Sequence, residues 1–157
     1  MPMISKKYRA FSFVEAIIIV LFLGIFAAIA VPRLNRAAIS KHKAEAIARK
    51  IVADLRLTRR LAITDAANNT MGFELKMVGV VPYTSYKIEN VKTHAIVATH
   101  TVDSGVSISC PTGIGFIFGS LGNLKVGSGT GIIVSAEGKS FTITIVSATG
   151  TVKCVEN

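Results

Sequence analysis

Hydrophobic and polar positions change character twice along this chain. Between Phe11 and Val31 only Ser12 and Glu15 are polar, and Ala16–Val31 is an unbroken apolar run. As a helix rising 1.5 Å per residue, 11–31 would be about 32 Å long, close to a bilayer hydrocarbon core of roughly 30 Å. The pattern therefore predicts a membrane-spanning helix. Pro32 lacks a backbone donor and is expected to kink the helix without ending it. Beyond it, Ala44, Ile47, Ile51, Leu55, Thr58 and Ala62 recur at three- and four-residue spacing, one face of an amphipathic helix. Glu45, Arg49, Arg56 and Arg60 fall largely off that face. No Gly or Pro interrupts 33–67, and Asn68-Asn69 offers a stop. One long helix is expected, from Phe11 to Ala67.

After residue 70 the period drops to two. Met71–Met77 alternates as a half-buried strand should, and similar short runs follow at Tyr86–Val91, His94–Thr99, Val106–Cys110, Gly115–Phe118, Gly131–Ser135, Phe141–Val146 and Thr151–Val155. Turn signals separate them, among them Val81-Pro82, Gly122-Asn123, Glu137-Gly138 and Gly150. The apolar helix face needs a cover, and the strands are the candidate. The expected fold is α+β: one long N-terminal helix, transmembrane in its first half, packed against a small antiparallel β-sheet domain. The organisation expected is a leader at 1–10, a transmembrane and assembly helix at 11–32, its amphipathic continuation at 33–67, and a β-rich domain at 68–157.

Composition and charge narrow the function classes. The chain has 157 residues, half of them hydrophobic, with 17% charged; its mean hydropathy is +0.53. A coiled coil, a collagen and a multi-domain enzyme are excluded. Charge is partitioned: residues 33–60 hold nine Lys/Arg against Glu45 and Asp54, whereas 61–157 hold six of each sign. The basic helix reads first as a solvated face attracted to anionic headgroups, and second as a phosphate-backbone binder using Arg49, Lys50, Arg56, Arg59 and Arg60. The cations Lys6, Lys7 and Arg9 before the apolar run are matched by Arg33, Arg36, Lys41 and Lys43 after it, so loop charge leaves topology open.

Three readings of the N-terminus compete: a secretory signal cut after Ala28-Ile29-Ala30, an uncleaved anchor, and a prepilin leader cut between Ala10 and Phe11. Glu15 favours the last. A carboxylate one turn inside an apolar helix is functional by default. After that cut it would lie one turn from the new Phe11 amine, and pairing between subunits would set their register. Phe11-Ser12-Phe13-Val14-Glu15, followed by Leu23-Gly24 and a run ending at Val31-Pro32, resembles the type IV prepilin N-terminus. The family usually has Gly before the cut, and this chain has Ala10. The resemblance implies cleavage and N-methylation at Phe11 by a prepilin peptidase/methyltransferase. It also implies an inner-membrane assembly platform, a lipid bilayer around the helix, and other pilins or pseudopilins as filament partners.

Ala48–Ile63 on the helix, Phe118-Gly-Ser-Leu-Gly122, Gly131-Ile-Ile-Val and Val146-Ser-Ala-Thr-Gly150-Thr-Val152 are similar to the minor pseudopilin family GspH/FimT. This implies a subunit of a type II secretion pseudopilus or type IV pilus that supports protein secretion. It would be a single-pass bacterial inner-membrane protein with its C-terminal domain in the periplasm. A DNA-binding minor pilin of a competence pilus is the alternative. The short tail after Gly150 carries one cation, Lys153, and one acid, Glu156, against the Arg-rich tail of DNA-binding relatives.

Cys110 and Cys154 both share parity with apolar neighbours, so a disulfide and two buried free thiols are equally open. His94 and His100 lack a third ligand for a metal, the glycines lack the Lys-Ser/Thr of a phosphate loop, and no catalytic set stands out. No enzymatic activity, cofactor or metal is expected.

Overall fold

The computed structural model describes residues 12–111, 113–127 and 129–157, with side chains for all of these except 30–38, 129 and 130. A helix, α1 (Phe13–Thr64), precedes nine strands: β1 (Phe73–Val78), β2 (Ser85–Asn90), β3 (Ile96–Thr101), β4 (Ser107–Ser109), β5 (Gly115–Phe118), β6 (Leu124–Val126), β7 (Gly129–Ala136), β8 (Lys139–Val146) and β9 (Thr151–Glu156). The residues group into two compact units, the first ending at Ala37 and the second Ala38–Asn157.

In the first unit the helix from Phe13 to Ile29 is apolar on all sides apart from Glu15, and every side chain described on it is exposed. Among the described residues no helix is long and apolar enough to cross a membrane. The expected transmembrane helix, the bilayer around it and the single-pass inner-membrane placement are corrected accordingly. The helical backbone runs through Pro32; the expected kink rests on a side chain outside those described.

In the second unit the helix buries Ala44, Ala48, Ile51, Val52, Leu55, Thr58 and Ala62. Two antiparallel sheets, not one small sheet, account for the strands, which corrects the expected architecture. One has the order β3-β2-β1-β5-β6 and the other β4-β7-β8-β9. Two covering sheets explain why the buried arc is wider than the single predicted stripe: Ala48 and Val52 join it, while Ile47 is half-buried. Alternate residues of the longer strands complete the core: Phe73, Leu75 and Met77 on β1, Phe116 and Phe118 on β5, Ile132 and Val134 on β7, Phe141, Ile143 and Ile145 on β8. Full burial of a side chain such as Leu55 contributes about 1.5–3 kcal/mol.

The helix ends at Thr64 rather than Ala67. Asn69 is the cause. Its Oδ1 accepts from the backbone N–H groups of Met71 (3.1 Å) and Gly72 (3.0 Å), and its Nδ2 donates to Gly72 O (2.8 Å) and Asn90 Oδ1 (3.0 Å). This buried amide supplies the backbone with partners that a continuing helix would otherwise provide. It also ties the chain leaving the helix to β2.

Candidate functional site

Ala10 and Phe11, the expected cleavage and N-methylation sites, lie outside the described residues. Glu15 sits in the first turn of α1 with its side chain exposed. A carboxylate there is favoured by the unpaired N–H groups and positive dipole end of the helix. Around it, Phe13, Val20 and Phe26 are 80%, 69% and 67% exposed, and the residues between them are similarly open. An apolar surface of this extent marks an interaction site.

The basic face is divided by the fold. Successive residues of a helix are 100° apart, so Arg49, Arg56 and Arg60 share one stripe, and Lys50 lies about 100° round the helix from Arg49. Arg49 Nη2 is 2.6 Å from Glu45 Oε1, an exposed pair one turn apart. Lys50, Arg56 and Arg60 are exposed. Arg59 turns inward: its Nε donates to Gly122 O at 3.0 Å. Gly122 and Gly150 both hold positive φ (77° and 65°), and a Cβ on Gly150 would meet both Gly122 O and the Arg59 side chain. The two glycines read in sequence as turn markers thus converge on one arginine, which closes the β5–β6 turn onto the helix. Of the five candidate phosphate-binding residues, the structure commits Arg59 to this packing.

The cysteines are free, Cys110 buried and Cys154 exposed. Cys110 follows β4 and Cys154 lies on β9, at opposite edges of the four-stranded sheet. Three strand spacings of about 4.8 Å separate those edges, far beyond the roughly 7 Å Cα limit for a disulfide. Of the two states left open by parity, free thiols are the one found, with Cys154 turned outward rather than buried. Burial pushes the Cys110 thiol up to about 12; partial burial also raises Cys154.

One polar cluster was not anticipated. Tyr86 Oη donates to Asp54 Oδ2 at 2.7 Å, and His100 Nε2 lies 3.4 Å from the same oxygen. The Tyr86 and His100 rings stack obliquely with centroids 5.3 Å apart. The cluster joins the helix to β2 and β3. Burial, and then the neighbouring Asp54 carboxylate, hold the Tyr86 hydroxyl well above the usual phenol range. Tyr86 and His100 are paired directly across β2 and β3, a long-range register that alternation within each strand does not encode.

A second polar cluster lies on β1 and β2, where Glu74 faces Glu89 and Lys76 faces Lys87. Lys87 bonds Glu89 and holds its carboxyl below the usual range, whereas burial raises Glu74. Oppositely signed neighbours make this a self-satisfied set. Among the described residues no group of three or more His, Cys, Asp or Glu is placed to hold a metal ion. His94 stands apart, in the β2–β3 turn with φ 58°.

No family model, curated protein or solved structure matches this chain.

Proposed function

We propose that the chain is a minor pilin or pseudopilin subunit that assembles into a filament through its apolar N-terminal helix, in a pseudopilus supporting protein secretion or in a type IV pilus. The observation that carries this reading is the exposure of Phe13–Ile29 on all sides. Side chains such as Phe22, Leu21 and Ile25 each stand to gain about 1.5–3 kcal/mol from full burial. Like helices of other subunits would supply that cover. Glu15 is the single charge on this surface, and inside such an assembly it needs a partner, because a buried unpaired charge costs several kcal/mol. The amine at Phe11 exposed by leader cleavage fills that role. The test is incorporation of full-length variants into filaments in cells. Leu21→Asp and Glu15→Ala should each abolish incorporation with the second unit still folded. Normal incorporation of Leu21→Asp would remove the helix from the assembly reading.

Duplex DNA binding is the second reading, favoured by the exposed Lys50, Arg56 and Arg60. Three phosphate contacts would give a salt slope of about −2.7 in log K against log salt. A salt-independent signal, or none, would dismiss it.

A further inference from the structure

The two sheets end in four edge strands among the described residues, β3 and β6 in one and β4 and β9 in the other. A free edge carries main-chain N–H and C=O groups that can pair with a further strand, and proteins guard such edges with brevity, charge or Pro. Three of the four are guarded in this way. β6 and β4 are three residues each, with Lys125 in the first and Pro111 soon after the second. β9 carries Lys153 and Glu156. β3 is six residues long, Ile96-Val-Ala-Thr-His-Thr101, and holds no Lys, Arg, Asp, Glu or Pro.

The ladder shows which main-chain groups of β3 are free. Val102 N donates to Thr84 O at 2.8 Å. In an antiparallel pair, hydrogen-bonded and non-hydrogen-bonded positions alternate. In the same register His100 opposite Tyr86 and Ala98 opposite Ile88 bond β2, whereas Thr99 and Thr101 point their N–H and C=O groups away from it. The register shifts at Ile88/Glu89, and beyond the shift Asn90 N donates to Ala95 O at 2.9 Å. Ile96, the next residue, therefore also points its main chain outward. Thr99 and Thr101 are exposed, and Ile96 and Val97 are 59% and 48% exposed, so this edge stands open among the described residues.

Outward N–H and C=O groups at alternate residues match one kind of partner, a polypeptide in extended conformation. We propose that β3 takes up an extended, neutral or acidic segment of another polypeptide as a sixth strand of its five-stranded sheet. A second copy of this chain is the poorer match. Residues 38–157 carry thirteen Lys/Arg against eight Asp/Glu, so two copies brought edge to edge repel, and the same excess attracts an acidic segment. Lys92, exposed in the turn that leads towards β3, adds a cation at one end of the edge. Ile96, Val97 and the threonine methyl groups offer an incoming strand apolar contact, which favours β-branched side chains on it. The inference goes beyond the filament reading and does not rest on it, because β3 belongs to the second unit and not to the apolar helix.

Thr99→Pro is the decisive variant. The N–H it removes is one that β2 does not use, and Pro is tolerated at an edge position of this kind. The probe is a fluorescent peptide alternating threonine and valine around one glutamate, N-methylated on alternate residues so that only one of its edges can pair. A control peptide is methylated on every residue. Binding to the full chain is followed by fluorescence anisotropy, and amide hydrogen exchange is read with and without the probe. The one-edge peptide should bind saturably, and the control at least about tenfold more weakly, as the loss of a few main-chain hydrogen bonds requires. Thr99→Pro should weaken binding of the one-edge peptide by about tenfold with the urea midpoint unchanged. In the wild-type chain the Thr99 and Thr101 amides should exchange rapidly alone and slowly with the probe, while the His100 amide is slow in both states. Should Thr99→Pro fail to fold, exchange in the wild-type chain still decides. Equal binding of the two peptides, or Thr99 and Thr101 amides unaffected by bound probe, would overturn the inference. So would protection of these amides without probe that rises with chain concentration, since a second copy would then hold the edge. Filament incorporation is read separately, so either result leaves the filament reading where it stands.

Discussion

Arg59 is one of nine cations in a 28-residue stretch, and only its surroundings distinguish it from its neighbours. Gly122 O accepts its Nε–H, and the bare α-carbon of Gly150 lets the β8–β9 turn close beside it. A side chain at Gly150 has two penalties: a left-handed backbone at φ 65° and an encounter with Gly122 O. Gly150→Ala should therefore destabilise the second unit by about 2 kcal/mol or more, read as a lower urea midpoint. An unchanged midpoint would show that the turn has slack. Tyr86 gives the second prediction. Its hydroxyl is held above its ordinary value of about 10 by burial and by the Asp54 carboxylate. The fold thus favours the neutral phenol. That contribution is fully present below about pH 10 and is lost as pH rises beyond it. Urea unfolding between pH 8 and 11 should show a steep alkaline loss of stability that Tyr86→Phe flattens. Tyr86→Phe should also lower stability near neutrality by about 1.5–3 kcal/mol, the scale of a hydrogen bond to a charged group. An alkaline slope identical in the variant would contradict the assignment.

At the scale of elements, the period of the sequence was legible wherever one face is buried. Ile51, Leu55, Thr58 and Ala62 were read correctly because helix spacing is independent of what covers the helix. Ala48 and Val52 were missed because a second sheet widens the buried arc, and nothing local encodes a second sheet. Strand alternation located β1, β5 and β8 for the same reason. By contrast, β6 is only Leu124–Val126, too short for a period to register. The start of β3 moves from His94 to Ile96 because His94 takes a positive φ in the preceding turn. The thiols show the limit most plainly: parity gave Cys110 its inward direction, while the sheet order that sets it three strands from Cys154 depends on long-range pairing. Native full-length chain should therefore incorporate one alkyl group under iodoacetamide, at Cys154, and a second only on unfolding. No labelling before reduction would establish a disulfide and contradict the strand order.

For the whole molecule, the fold divides the labour between its two units. The second unit buries its own core and satisfies its polar clusters internally, with the basic stripe left on the surface. The first unit leaves its apolar helix uncovered, and that exposed surface is what the filament reading explains. The candidate site was partly legible. The apolar run and Glu15 are sequence features in their own right, whereas the separation of Arg59 from the other cations needed the fold. The most direct measurement is the accessibility of Leu21 in dispersed and assembled protein. Leu21→Cys, in a Cys154→Ser background, would be reacted with a maleimide before and after assembly of the full chain. The account predicts rapid labelling of the dispersed chain and protection of at least about tenfold on assembly, as burial in a helix-packed interior requires. Equal labelling in both states would mean that the apolar helix is not the assembly surface.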